Sequence, residues 1–406
     1  MHLQRWHQYG DRRPPESMIR ILMLGDGSLT AVQRPLAWML ASGCRVWLMS
    51  GTDPYQRSPP ANYGFLPLST PALGEGYGAE AVGAGAAEVT RAVERIRPSL
   101  IHLHFLGFEA TCCVAAGIRP HVLSVWGALN HLLKPKMTRN AAAPESTENK
   151  AVDPLVDFAR TLILESPALA QAAAARYGAG KRIEMIPMGV DTRRFCPDNR
   201  SERAAWRKAL QIPEDAFVML SPRGWGQIYN HDKILRAFAR ARPRLRRPTL
   251  LAFSKMGRNT QTGEAPRVFN SVMELAESLG LRDAIRTLPC LRYEMMLGLY
   301  AMADAVVNFP LQDAFPSTLI EAAACERPIL SANLPAYIGT FVETCCDLVE
   351  PENELALADA IVEFVNQPES SRREALIRGR TEILEHYDEH LCRALLLRLY
   401  TDLNRE

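Results

Sequence analysis

A short apolar run that stops at a glycine turn, one amphipathic helix and a second apolar run open the patterned part of this chain. Residues 19–24 read Ile-Arg-Ile-Leu-Met-Leu and end in Gly25-Asp26-Gly27-Ser28. Residues 30–42 carry Leu36, Trp38, Met39 and Leu40 and close at Gly43, and 45–49 read Arg-Val-Trp-Leu-Met. Strand, glycine-terminated helix and strand within about 30 residues form a βαβ unit. Such a unit implies a parallel sheet with a right-handed crossover. The rhythm continues with a predicted helix over 79–97, strands over 100–104, 122–126 and 161–164, a helix over 167–177 and a strand over 182–186.

Residues 191–204 are polar and charge-rich, as in a linker, and the alternation then restarts. Strands are predicted at 216–221, 249–253, 285–288, 305–309 and 328–331. Helices are predicted at 231–241, 268–279, 293–302, 317–325 and 355–366, with a broken helical stretch over 371–404. A chain of 406 residues suits two domains. The expected fold is therefore α/β, with two tandem Rossmann-like, doubly wound parallel-sheet domains over 18–195 and 203–379. Ligands of such sheets sit at the carboxyl ends of strands, and here between the domains.

Composition removes several function classes. Hydrophobic residues make up 47% and charged residues 23%, as in an ordinary globular chain, and a net charge of +2 lacks the basic excess of a nucleic-acid binder. The nine cysteines include adjacent pairs, Cys112–Cys113 and Cys345–Cys346, rather than zinc-ligand spacings, so no metal site and a reducing, cytoplasmic location are expected. Residues 1–17 are polar, without the apolar stretch of a secretory signal, and read as a disordered lead-in. Residues 134–152 read as a mobile loop.

The densest chemistry lies in Phe309-Pro-Leu-Gln-Asp-Ala-Phe-Pro-Ser-Thr-Leu-Ile-Glu-Ala-Ala-Ala-Cys. A strand delivers the chain to Asp313, and Pro316 opens a helix with Ser317 and Thr318 in its first turn. The free N–H groups there form an anion site fit for a diphosphate. Glu321, one turn on, offers two acceptor oxygens to a vicinal diol such as a ribose. The plainer reading is an acidic cap followed by a surface glutamate.

Asp313 and Glu321 stand eight positions apart. This spacing resembles the glutamate-x7-glutamate motif of the family-4-type retaining glycosyltransferases of the GT-B fold. Further stretches agree in order. Residues 186–197 resemble the segment closing that family's N-terminal domain, and Tyr300-Ala-Met-Ala-Asp-Ala-Val-Val resembles a strand entry of the second. Arg327-Pro-Ile-Leu follows, and a last helix over 380–404 resembles the one that crosses back to the first domain.

The resemblance implies transfer of a sugar from a nucleotide-sugar, UDP foremost and GDP second, to an acceptor hydroxyl, with retention and without metal or cofactor. It implies that Arg223 meets the diphosphate, Asp313 the sugar and Glu321 the ribose. Ser317, Thr318, Phe315 and Leu291 are further donor-side candidates. The family's usual lysine falls at Tyr229, with Lys233 or Lys255 as substitutes. Acceptor-side candidates are Gly25, Asp26, Gly27, His104, Trp126 and Gly127; the aspartate expected after Trp126-Gly127 is absent, and Asn130 is offset. His102 and His104 share one strand face and also read as a buried pair. The acceptor is a glycan, a lipid-linked sugar or a small molecule. The arginines at 236, 240, 242, 244, 246 and 247 suggest peripheral membrane contact through anionic lipid headgroups, an acidic acceptor or, more simply, a solvated helix face. A sugar-nucleotide epimerase and a non-catalytic partner subunit of the same fold are the alternatives.

Overall fold

The computed structural model describes residues 18–69, 78–127, 129–133, 154–178, 180–254, 264–288, 291 and 293–406. The expected lead-in, the loop over 134–152 and Lys255 lie outside them.

The first sheet contains β1 (Arg20–Leu24), β2 (Arg45–Ser50), β3 (Tyr63–Pro67), β4 (Leu100–His104), β5 (Val122–Ser124), β6 (Thr161–Leu164) and β7 (Arg182–Met185), in the order β3-β2-β1-β4-β5-β6-β7. The second contains β8 (Phe217–Ser221), β9 (Thr249–Ser254), β10 (Ile285–Leu288), β11 (Ala305–Asn308), β12 (Ile329–Ala332) and β13 (Asp347–Val349), in the order β10-β9-β8-β11-β12-β13. Neighbouring strands pair in parallel throughout. Ile21 to Leu24 are fully buried, as are Val218 to Leu220, because helices cover both faces of a parallel sheet. In each sheet the strand order reverses once, between β1 and β4 and between β8 and β11. The crevice at that switch point is where a ligand fits.

Two edge strands escape sequence reading. Strand β3 is Tyr-Gly-Phe-Leu-Pro, whose glycine and proline mask its pattern, and β13 is only three residues long. Helix α1 (Thr30–Ala41) matches its expected place. Helices α2 (Ala79–Ile96), α3 (Phe108–Ala115) and α4 (Pro167–Tyr177) also flank the first sheet; α3 is not apparent in the sequence.

The expected linker ends in a helix. Helix α5 (Arg200–Ala209) starts inside it, and its charges are structural: Arg203 and Arg207 both grip Asp304, at 2.5 and 2.6 Å. Trp206 of α5 packs on α6 (Met296–Met302) where Gly298 leaves room. A Cβ at Gly298 would lie 1.9 Å from the Trp206 indole nitrogen. Gly298→Ala is therefore expected to destabilise the protein by about 1–3 kcal/mol, the usual cost of overpacking. A melting curve checks this, and Trp206→Leu in the same chain should restore most of the loss.

The chain's last helical stretch divides at Tyr387-Asp388. Helix α7 (Arg373–His386) packs on the second domain, where Arg380 donates to the Ala324 carbonyl and, at 3.3 Å, to that of Phe195. Only α8 (Glu389–Leu403) lies on the first, against α1. The expected return helix over 380–404 is thus two helices, because Asp388 leaves the helical path to cap α8 and to pair with Thr192. Tyr400 of α8 hydrogen-bonds His102, whose other ring nitrogen meets Ser124 Oγ at 2.8 Å. His102 is a satisfied core residue.

No described helix is long and apolar enough to cross a membrane. The arginine run is largely neutralised: Arg240 pairs with Glu354, Arg242 with Asp283 and Arg244 with Asp359, while Arg247 stacks on Phe217. This is a salt-bridged surface.

Candidate active site

The second sheet's switch point delivers two groups to one place. The loop after β8 carries Arg223, and the loop after β11 carries Asp313. They pair at 3.1 Å, both nearly buried. Arg223 also donates to Thr318 Oγ1 at 3.3 Å and lies over the Tyr229 ring, 4.5 Å from its centre. Burial alone would lower the arginine's pKa, but Asp313, Tyr229 and Tyr337 outweigh it and keep the guanidinium charged. Tyr337 donates to Asp313 at 3.3 Å. Tyr229, at the position where the resemblance implies a lysine, is an aromatic support for the arginine.

Beneath this loop sits His231, which sequence reasoning passed over. It meets the Gly224 carbonyl at 2.8 Å and packs on Trp225. Burial pushes it down to about 4, so it is a neutral strut.

Helix α9 (Ser317–Ala324) begins beside Arg223, and no side chain caps its N-terminus. The amides of Ser317 and Thr318 are thus available to an anion. Phe315, expected on the donor side, turns inward against Phe341 and Tyr387, so its ring belongs to the core. Leu291 packs at the edge of the same core.

Glu321, on α9, is 2% exposed, and both of its oxygens are engaged. One accepts from Arg34 of α1 at 2.8 Å, the other from Tyr300 at 2.8 Å. Arg34 also donates to the Gly189 carbonyl and lies 4.3 Å over the Tyr293 ring. The carboxylate expected at the ribose is thus one end of a buried ion pair joining the two domains. Arg34 carried one available signal, a cation on the apolar face of α1, but its partner is 287 residues away.

On the first sheet, Gly25 and Gly27 are required by close approach. A Cβ at Gly25 would come within 2.9 Å of His104 Cβ, and one at Gly27 within 2.2 Å of the Thr52 carbonyl. Asp26 accepts from the Ser28 amide at 2.8 Å. His104 accepts at Nδ1 from the Trp126 indole at 3.1 Å, while its Nε2, also buried, has no partner. Burial holds it at about 3, hence uncharged. Trp126 has φ of 46°, a left-handed backbone that a bulky residue adopts only under constraint, and Gly127 follows it at 87°.

Glu165, directly after β6, completes this wall and was not foreseen. It is 5% exposed, accepts from the Gly127 amide, and leaves Oε2 unpartnered. Burial pushes it up to about 7, with Asp313 across the cleft adding to the effect. Since the folded value exceeds the unfolded one of 4.5, the contribution of this carboxyl to stability is full below about pH 4.5 and declines as pH rises through 7. The cost at pH 8 is about 3 kcal/mol at most. Glu165→Gln mimics the protonated acid, so melting curves should show it gaining on wild type between pH 5 and pH 8; parallel curves would refute the shift.

Among the described residues, no three His, Cys, Asp or Glu side chains are placed to hold a metal ion.

Two family models match the chain in succession. The Glycosyltransferase Family 4 model covers residues 32–194, and the Glycosyl transferases group 1 model covers 202–380. The chain belongs to the family-4-type glycosyltransferases. Similar curated proteins of this family are the D-inositol 3-phosphate glycosyltransferases of Saccharomonospora viridis and Geodermatophilus obscurus. The first is 30% identical over 54% of this chain and 50% of its own; the second is 35% identical over 38% and 34%. The chain spans about half the length of the first of these relatives. Among solved structures, sucrose-phosphate synthase from Thermosynechococcus elongatus superposes with a TM-score of 0.79 at 17% identity, covering 95% of this chain and 99% of that one. Anabaena Alr3699/HepE in complex with UDP and glucose superposes with a TM-score of 0.73 at 16% identity, covering 95% and 100%. These glycosyltransferase neighbours confirm the GT-B fold, with its two Rossmann-like sheets.

Proposed function

We propose that this chain transfers a sugar from a nucleotide-sugar, UDP-linked foremost, to an acceptor hydroxyl, with retention and without a metal ion. The observation that carries this reading is the meeting of Arg223, Asp313 and the uncapped start of α9 at the switch point of the second sheet. A departing nucleoside diphosphate gains negative charge, and a fixed guanidinium with helix amides is built to receive it. The Anabaena neighbour bound to UDP-glucose supports the choice of donor.

In the proposed reaction the bond from the sugar's anomeric carbon to the phosphate oxygen breaks, and a bond to the acceptor oxygen forms on the same face. The acceptor proton passes to the leaving phosphate oxygen. Asp313 orients the sugar hydroxyls while its charge fixes Arg223. Glu321 takes the ribose diol when α1 and α9 part, exchanging Arg34 for a ribose hydroxyl. Closure then excludes water.

The test is thermal stabilisation by UDP, GDP, ADP and TDP and their sugars, followed by nucleotide release with EDTA present and NMR of the product anomer. A shift with one nucleotide class alone, turnover that survives EDTA, and an unchanged anomeric configuration are expected. No shift with any nucleotide sinks the reading. Conversion of the donor's sugar without an acceptor would indicate an epimerase.

A further inference from the structure

Behind Asp313 runs a buried hydrogen-bond chain. Asn308 ends β11 and lies in register with Ser331 on β12, at the carboxyl edge of the second sheet. Asn308 Nδ2 donates to Ser331 Oγ at 3.1 Å and to Tyr337 Oη at 3.0 Å, and Tyr337 donates to Asp313 Oδ2 at 3.3 Å. Asn308 and Ser331 are fully buried, and Tyr337, in the turn Pro335–Tyr337 after β12, is 1% exposed. Polar side chains in the core of a parallel sheet cost free energy, and apolar groups of the same shape would fill the space as well or better. What the polar chain supplies is found at its end, where it meets a carboxylate of the candidate active site.

The chain has a direction. Ser331 Oγ gives its own proton to the Ala332 carbonyl at 3.3 Å, so it accepts from Asn308 and turns the amide nitrogen toward itself and Tyr337. Tyr337, which accepts from Asn308, gives its single proton to Asp313. Asp313 is also held by the Ala314 amide at 3.0 Å and by Arg223, whose Nη2 is shared between Oδ1 at 3.2 Å and Oδ2 at 3.1 Å. One nitrogen spread over two oxygens is a looser grip than two parallel bonds. Nη1 of the same guanidinium donates to Thr318 Oγ1, at the helix start proposed to receive the diphosphate. An arginine drawn to the diphosphate relaxes its hold on Asp313. Tyr337 and the Ala314 amide then keep the carboxylate in place. They also keep it ionised: burial raises the pKa of Asp313, while Arg223, Ala314 and Tyr337 oppose that rise.

We infer that Tyr337, oriented by Asn308, is a positioning residue for the donor sugar, holding the Asp313 carboxylate toward the sugar hydroxyls once Arg223 has engaged the diphosphate. The inference rests on the proposed glycosyl transfer. The contacts proposed for the nucleotide itself, Glu321 and the amides of α9, lie outside this chain. Sugar binding and nucleotide binding should therefore respond differently when it is cut.

The experiment measures, by calorimetry on the full chain, the affinities for UDP and for UDP-glucose. Tyr337→Phe removes one hydroxyl and keeps the ring. It is expected to weaken UDP-glucose about tenfold, the scale of one hydrogen bond to a charged group, and to leave UDP within about twofold of wild type, which also shows that the variant is folded. Asn308→Asp keeps the shape and reverses the chain, since a carboxylate draws the Tyr337 proton to itself, and it should split the two ligands in the same way. In Asp313→Asn, adding Tyr337→Phe should change UDP-glucose affinity by less than about twofold, because the group through which Tyr337 acts is already gone. Equal weakening of UDP and UDP-glucose in Tyr337→Phe would reduce the tyrosine to a structural part. Unchanged affinity for both, an Asn308→Asp variant that binds UDP-glucose like wild type, or a full further loss on the Asp313→Asn background would each overturn the inference as well. Failure of wild type to bind either ligand would instead sink the donor reading beneath it, and this inference with it.

Discussion

Arg223→Ala should reduce kcat by about 10²–10³, the usual consequence of removing one preorganised group from the developing charge. The same change should also cost stability. Asp313 is nearly buried, and taking away its guanidinium leaves an unpaired carboxylate beside Tyr337. Breaking a buried pair from one side typically costs about 3–5 kcal/mol. The two losses can be separated. Arg223→Ala combined with Asp313→Asn removes the orphaned charge, so the melting temperature should largely recover while turnover stays low. Recovery of both would show that Arg223 serves the fold alone. Loss of turnover with an unchanged melting temperature would show that the Arg223–Asp313 pair contributes little to stability.

The second large effect concerns the ion pair between the domains. Glu321→Gln should weaken UDP binding at least tenfold by calorimetry, because a neutral amide replaces the acceptor proposed for the ribose. Arg34→Met should not weaken it, and should tighten it if freeing Glu321 is part of binding. Each single change also leaves a buried charge without its partner, at a similar cost of about 3–5 kcal/mol. Arg34→Met with Glu321→Gln should therefore be more stable than either alone, a coupling that a double-mutant cycle measures directly. If Arg34→Met weakens UDP as much as Glu321→Gln does, the pair acts as one structural unit and the ribose assignment falls. Saturating UDP adds about 2.7 kcal/mol of stability at 100 times Kd. That increment should appear in wild type and Arg34→Met and be much reduced in Glu321→Gln.

Local patterning along the chain settles the framework. Alternating apolar runs and glycine-closed helices set two parallel sheets, and strand ends placed Arg223, Asp313, Gly25 and His104 at the carboxyl edges where the structure puts them. The helix start at Ser317 was readable too, since a proline entering an apolar run is a local signal. Elements whose stability comes from neighbours were not readable. Strand β3 is an edge strand interrupted by glycine, and α5 is a charged segment whose arginines find Asp304 about a hundred residues on. The tertiary structure alone decided the state of each site residue. It turned Phe315 into the core, set Tyr229 beneath Arg223, paired Glu321 with Arg34, and brought an unannounced Glu165 to face Asp313. The physical reason is common to all four. Burial, pairing and charge depend on which distant segments share a cleft, and spacing along the chain carries no information about what will stand on its other side.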